Sequence, residues 1–337
     1  MPRNSIQTEQ VSSPILVVLP KFIGDAINTL PALELLANLY PNQAIHVLVR
    51  PYLTMLLKKQ SIPNIELIPD LRYADPKKGL WHFAKELKKT YYQLAFLFRG
   101  SFTDALLCRL AGVSHLVGYA QNGRSPLLSH AIKLNLNHHY IQRYCRLIND
   151  VHGKPFKEYR LPKLQSQFSH CKPTGFTHVI GCYFGSPNKA PRYYPSHLAK
   201  ETIFMLLTRP NTAVVLLGDA SEKANNDFLC KSAGVTNLFN LAGKCNLSEY
   251  VDLIASLDAL ISIDSGPMHI ACAVDTPCIA LVGLGTSPWS VVAPKNQAFI
   301  ALEAKSRHLD DNKIIEAIAP NQISESLHTL LTHYPKD

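Results

Sequence analysis

The residues from Leu260 to Pro288 constrain the fold of this chain more than any other stretch. An apolar run, residues 260–263, breaks at Asp264-Ser265-Gly266, and a helix-like segment carrying His269 follows. After a turn at Asp275-Thr276-Pro277, a second apolar run, residues 278–282, ends in Gly283-Leu284-Gly285-Thr286-Ser287-Pro288. Strand, small-residue turn, helix is how an α/β protein points backbone N–H groups and a helix N-terminus at a phosphate. Capping and turn chemistry alone would account for Asp264, Ser265, Gly266 and Pro267. They account neither for His269 nor for the second Gly/Thr/Ser loop. Two polar turns at the carboxyl ends of consecutive strands mark the ligand edge of an open α/β sheet. The segment therefore reads as a binder of something phosphorylated, with a nucleotide first among the candidates.

The rest of the chain repeats this alternation. Strand patterns fall at residues 15–19, 45–49, 93–98 and 115–118, and helical patterns at 32–39, 80–89, 103–111 and 138–150. That order predicts a mostly parallel sheet. Periodicity disappears over residues 162–174, the expected linker. A second series then runs through strands at 178–183, 213–217, 259–263 and 279–282, with helices at 196–207, 222–233 and 248–256. A final amphipathic helix, 321–332, follows Pro320. The expected organisation is α/β, with two Rossmann-like domains, 1–165 and 166–320, facing each other across a cleft, and a C-terminal helix, 321–337. Ligand clefts favour such interfaces.

Composition closes off several classes. A chain of 337 residues is too long for one ordinary core. Its 47% hydrophobic and 18% charged residues describe a packed globule and not a disordered chain. The apolar runs are far short of the ~20 residues that span a bilayer, and no secretory leader is legible, so a cytoplasmic protein is expected. Eight cysteines (108, 145, 171, 182, 230, 245, 272 and 278) include no Cys-x-x-Cys pair, and the fourteen histidines form no zinc-binding pattern. No metal and no cofactor are expected. A formal charge of +9 favours a negatively charged partner: nucleic acid, a phosphorylated small molecule or an anionic membrane surface. Without an RNP motif, zinc finger or dense basic run, nucleic acid is the weakest of the three.

The first strand ends in Lys21-Phe22-Ile23-Gly24-Asp25. This is no Gly-x-Gly-x-x-Gly, so the dinucleotide fingerprint is absent and an NAD-dependent oxidoreductase is disfavoured. Asp25 lies where a helix begins, and the helix dipole with Lys21 is expected to favour its ionised form. An ionised aspartate in a cleft suits general-base work on a sugar hydroxyl; a plain N-cap is the alternative. In the second half, Gly185-Ser186-Pro187-Asn188-Lys189 follows a strand, with Arg192 close behind, and suits a diphosphate whose leaving charge a cation would stabilise. A solvated basic loop explains the same residues. Gly218-Asp219-Ala220-Ser221-Glu222 ends a further strand with a carboxylate suited to ribose hydroxyls, or simply to its helix start.

Gly24-Asp25, Gly218 with Glu222, and Asp264-Ser265-Gly266 with His269 together resemble the bacterial ADP-heptose:lipopolysaccharide heptosyltransferases, glycosyltransferase family 9. The resemblance covers most of the chain. Phe102-Thr103-Asp104-Ala105-Leu106, Ala111-Gly112-Val113, Gly118-Tyr119 and Ala319-Pro320-Asn321-Gln322 resemble the branch that adds the second heptose. The family implies a GT-B fold, acceptor on the N-terminal domain, ADP-sugar on the C-terminal one, and inversion without a required metal. Asp25 matches the family's catalytic aspartate. Asp264, Ser265, Gly266 and His269 match its donor-phosphate loop, and Glu222 the carboxylate near the ribose. Gly185, Ser186, Asn188 and Gly218 complete the expected donor set.

Two departures fall on the donor side. Strict alignment puts Asn188 at the family's catalytic lysine, leaving Lys189 one place on as the expected cation, and the Gly283–Pro288 loop is one residue longer than usual. Lys21, Gly24, Arg50, Arg99, Arg124 and Arg143 are the expected contacts to an anionic lipopolysaccharide core, met at the cytoplasmic membrane face. A same-fold transferase with another sugar or acceptor, and a non-catalytic sugar-nucleotide or lipopolysaccharide-binding protein, remain open on the residues alone.

Overall fold

In a computed structural model, which describes residues 5–73, 79–189, 191–285, 287–305 and 311–335, the first apolar run forms β1 (Ile15–Val18), buried at every residue. Burial on both faces is what the centre of a parallel sheet requires. The chain continues through α1 (Ile23–Asn28), α2 (Leu30–Leu39), β2 (Ile45–Val49), α3 (Pro51–Leu57) and β3 (Ile65–Pro69). Then follow α4 (Leu80–Lys88), β4 (Leu94–Leu97), α5 (Phe102–Leu110), β5 (His115–Tyr119), β6 (His130–Ile132) and α6 (Tyr140–Val151). The strands pair in parallel in the order β3-β2-β1-β4-β5-β6. Helix α6 packs on α2 and α1, and α4 packs on α5.

The second half holds β7 (His178–Tyr183), α7 (Ser196–Leu207), β8 (Thr212–Leu216), α8 (Lys223–Ala233), β9 (Leu238–Asn240) and α9 (Leu247–Ser256). It ends with β10 (Ala259–Ile263), α10 (Gly266–Ala273), β11 (Cys278–Val282), α11 (Trp289–Val292), β12 (Phe299–Glu303) and α12 (Pro320–His333). The parallel order is β12-β11-β10-β7-β8-β9. Counted from its own first strand, this is the same 3-2-1-4-5-6 winding as in the first sheet, the Rossmann order.

The chain divides into two compact units, residues 1–162 and 163–337. The stretch expected as linker has no regular element but is strapped to the second unit. The Leu164 N–H donates to Ala273 O (2.8 Å), the Gln167 N–H donates to Asp252 Oδ1 (2.8 Å), and Lys163 pairs with Asp275. Helix α12, set apart in the sequence reading, also belongs to this unit. It packs on α7, and the buried Tyr194 hydroxyl donates to Ile318 O just ahead of it (2.8 Å). No helix among the described residues is long and apolar enough to cross a membrane.

In each sheet the winding reverses between two central strands, β1 and β4 in the first, β7 and β10 in the second. Open α/β sheets take ligands at the carboxyl ends of the strands beside that switch point. The residues that follow β1, β7 and β10 are Lys21 to Asp25, Phe184 to Lys189, and Asp264 to Gly266.

Candidate active site

In the first unit, Asp25 occupies the first turn of α1, three residues past the turn that ends β1. Phe22 is the N-cap, so Asp25 does not serve as the cap and its carboxylate is left for other work. The carboxyl is largely buried. Burial pushes its pKa up to about 6, and the Arg143 guanidinium on α6 pulls the other way without prevailing. This runs against the expectation that the helix dipole and Lys21 would favour its ionised form, because burial outweighs them. Lys21 is exposed and its amine lies over the Phe22 ring at 4.8 Å, while the opposing cation comes from α6. Next to Arg143, the fully buried Tyr144 phenol is pushed well above its usual value, by burial first and by the Asp25 charge second. An aspartate poised near neutrality is what general-base catalysis needs.

The expected acceptor residues divide. Gly24 is buried in α1 beside Asp25, Lys21 is exposed, and Arg50 is the half-buried N-cap of α3. Arg143 is fixed by the His138 and Leu136 carbonyls (2.8 and 2.7 Å) and lies 4.5 Å from the Tyr140 ring centroid, close enough to act on Asp25. Arg99 is engaged elsewhere. With Arg72 it brackets Asp70 and Asp104: Arg72 donates two bonds to Asp70 (2.8 and 2.7 Å) and one to Asp104 (2.7 Å). Arg99 donates to Asp70 (3.0 Å) and to Asp104 (2.9 Å). Burial alone would raise the Asp70 pKa; the two guanidiniums outweigh it and hold the carboxyl low.

Arg124 corrects the acceptor reading. It is fully buried, and it donates to Tyr119 O (2.9 Å) and to Arg99 O. Its burial pushes the guanidinium pKa down to about 10. The side chain braces the turn after β5, lying where a Cβ on Gly118 would come 3.2 Å from it, and presents no charge to a ligand.

In the second unit, Gly185 has φ +75°, and a Cβ there would come 2.8 Å from Ile263 Cδ1. Ser186 is buried, and Asn188 is exposed on the 3-10 turn Pro187–Lys189. That turn aims the Lys189 amine at the Glu222 carboxylate and the Tyr183 hydroxyl, and it bonds to both. Glu222 is almost fully buried and also accepts from the Tyr183 hydroxyl (3.1 Å) and from the Asp219 N–H (2.8 Å). Burial opposes the lysine's charge, but the bonds to Glu222 and Tyr183 outweigh it and raise the pKa above the usual lysine value. Gly218 is required beside this carboxylate. Its φ is +154°, and a Cβ would sit 2.9 Å from both Glu222 Cβ and Oε2.

Past β10, Ser265 is the N-cap of α10 but makes no side-chain bond to the first turn, so capping does not explain this loop. Asp264 is held by Arg192, whose Nη1 donates to Asp264 O (3.2 Å); burial raises the carboxyl's pKa while Arg192 lowers it. Gly285, three residues past β11, leaves space for Asp264, since a Cβ there would lie 3.0 Å from Oδ2. His269 is half-buried on α10. Ala190 and Thr286, within the two loops read as donor contacts, lie outside the described residues. Among the described residues, no three His, Cys, Asp or Glu side chains are grouped to hold a metal ion.

Sequence reasoning missed Tyr183, Tyr144, Asp70 and Arg72. None carried a signal, since a tyrosine ending a strand, a tyrosine inside a helix and an isolated Asp-x-Arg are all ordinary.

The sequence profile of glycosyltransferase family 9 (heptosyltransferase) matches residues 80–316. The chain belongs to that family. Among family 9 relatives, lipopolysaccharide heptosyltransferase 2 of Salmonella typhimurium is 28% identical, over 94% of this chain and 98% of its own length. Lipooligosaccharide heptosyltransferase 2 of Haemophilus influenzae is 31% identical, over 81% and 84%. The solved structure of E. coli ADP-heptose lps heptosyltransferase II superposes with a TM-score of 0.80 at 24% identity, covering 96% of this chain and all of that one. The fold is therefore GT-B, with a Rossmann-like sheet in each half, and the protein is a family 9 glycosyltransferase most similar to the heptosyltransferase II branch.

Proposed function

We propose that this enzyme moves a heptose from ADP-L-glycero-D-manno-heptose to the inner core of lipopolysaccharide, with inversion at the anomeric carbon. One observation carries the reading: a single carboxyl, Asp25, follows β1 at the switch point of the first sheet, with its pKa held near 6 by burial. In this reading Asp25 takes the proton of an acceptor hydroxyl as that oxygen bonds to the anomeric carbon. The bond from that carbon to the diphosphate oxygen breaks, and ADP departs with the electron pair.

The donor is read onto the second unit. Glu222 receives the ribose hydroxyls, and the Asp264-Ser265-Gly266 turn with His269 on α10 receives the diphosphate, as helix N-termini do for anions. Gly185, Ser186, Asn188 and Gly218 line the same edge. Lys189 stabilises the charge that develops on the departing phosphate. Its bond to Glu222 supports this assignment, because it holds the amine beside the carboxylate read as the ribose contact. No metal or cofactor has a part in this reading. Lys21, Gly24, Arg50 and Arg143 face an acidic acceptor at the cytoplasmic side of the membrane, Arg143 doubling as the cation that tunes Asp25. Residues 1–162 serve as the acceptor domain, and residues 163–337, the terminal helix included, as the donor domain.

The test is product mass after incubation with ADP-heptose and Kdo₂-lipid A acceptors carrying no heptose or one. A heptose increment on the mono-heptosylated acceptor, lost in Asp25→Asn, is the expected result. ADP binding with no transfer to either acceptor would instead identify a sugar-nucleotide-binding protein or a different donor.

A further inference from the structure

Helix α4 presents two unlike faces. Phe83, Ala84 and Leu87 are buried in a core cluster with residues of β4 and α5. On the opposite side Trp81, Lys85 and Lys88, spaced four and three apart, lie on one stripe and are all exposed, Trp81 by 68%. Beside the stripe Glu86 is paired with Lys89 (2.9 Å), so the only carboxylate on this helix is already matched. The neighbouring α5 opens with Phe102, 47% exposed. Both helices begin at the carboxyl edge of the first sheet, the edge from which Asp25 also rises, so two bare aromatic rings stand on the first turns of adjacent helices.

We infer that this α4 face, with Phe102 beside it, docks on an anionic phospholipid bilayer; the inference rests on the proposed lipid-linked acceptor. A solvated indole flanked by lysines suits the headgroup layer, where an amphipathic ring sits at the boundary and cations meet lipid phosphates. A protein partner is the poorer fit, because the centres of protein interfaces are depleted of lysine. The net charge of +9 acts in the same direction at longer range. Docking here would hold the first unit at the surface in which a lipid-anchored acceptor is embedded.

The test is co-sedimentation of the full chain with vesicles of phosphatidylethanolamine and phosphatidylglycerol, and with phosphatidylcholine vesicles as the neutral control. The unaltered protein should bind the anionic vesicles, weaken with added salt, and leave the neutral ones. The triple variant Trp81→Ser, Lys85→Gln, Lys88→Gln should bind at least tenfold more weakly with an unchanged unfolding temperature, since all three side chains are exposed. Its turnover should match the parent on a water-soluble deacylated acceptor and fall only on a vesicle-embedded one. Equal vesicle binding by both proteins, or an equal loss of turnover on the soluble acceptor, would overturn the inference. Vesicle binding that needs the stripe, in a protein that turns over no acceptor, would uphold docking while removing the heptosyl reading.

Discussion

In its proposed role as base, Asp25 sets chemistry against stability. Its pKa rises from 3.8 to about 6 on folding, so between those values the folded chain binds more protons than the unfolded one. Stability from this group is therefore greatest below pH ~4, falls as pH climbs, and the full cost is present above pH ~6. Asp25→Asn should thus gain stability at pH 7, on the order of 1–2 kcal/mol, by urea unfolding, while turnover falls 10²–10⁴-fold. The pH profile of kcat/KM should lose activity below an apparent pKa near 6, and a limb near 4 would show that the acceptor or another group governs it. The position of Asp25 was legible, because Gly24-Asp25 closes a strand and opens a helix. Its protonation was not, because the opposing charge, Arg143, lies more than a hundred residues on and burial depends on packing that no local pattern encodes.

The Lys189–Glu222 pair and Gly218 pack against one another at the end of β8. Lys189→Ala leaves the buried Glu222 carboxylate without its cation, at about 1–3 kcal/mol for a pair that is part exposed, and should cut kcat by about 10²–10³. Gly218→Ala drives a Cβ into Glu222 at 2.9 Å and should cost about 1–3 kcal/mol. ADP titration of this variant should show weaker binding; unchanged affinity would place the ribose elsewhere than Glu222.

Among the elements, the strands that sequence reading found were the central ones, and the four it missed, β3, β6, β9 and β12, are the four sheet edges. The reason is physical. A central strand is buried on both faces, as β8, β10 and β11 are at every position, and reads as a mainly apolar run. An edge strand carries partly exposed residues: Ile65–Pro69 has no fully buried position, and His130–Ile132 none either. The Asp70/Arg72/Arg99/Asp104 network, which ties the end of β3 to β4 and α5, was equally invisible, its members being spread over 35 residues. Asp104→Ala removes a carboxylate shared by two guanidiniums and should cost about 3–5 kcal/mol, as breaking a buried ion network does. Thermal unfolding checks it; a loss under 1 kcal/mol would mean that the arginines find water or other partners.

At the scale of the whole molecule, two sheets wound in the same order put their reversals beside the residues that carry charge: Asp25 after β1, Lys189 after β7, Asp264 after β10. This symmetry explains why a few motifs pointed to the family although the lysine expected at position 188 is an asparagine. Ligand edges follow from strand order, and the apolar runs locate the central strands that the order places beside the switch point. ADP should stabilise the enzyme by about 2.7 kcal/mol at a hundredfold excess over Kd, against little effect from UDP or NAD.

The most direct measurement is single-turnover transfer from ADP-heptose to mono-heptosylated Kdo₂-lipid A, comparing the parent enzyme with Asp25→Asn under saturating donor. The parent should add one heptose with inverted anomeric configuration, and the variant should bind ADP-heptose normally yet transfer 10²–10⁴ times more slowly. A variant that transfers at the parental rate, or a product of retained configuration, would contradict a base at Asp25 and the single-displacement mechanism built on it.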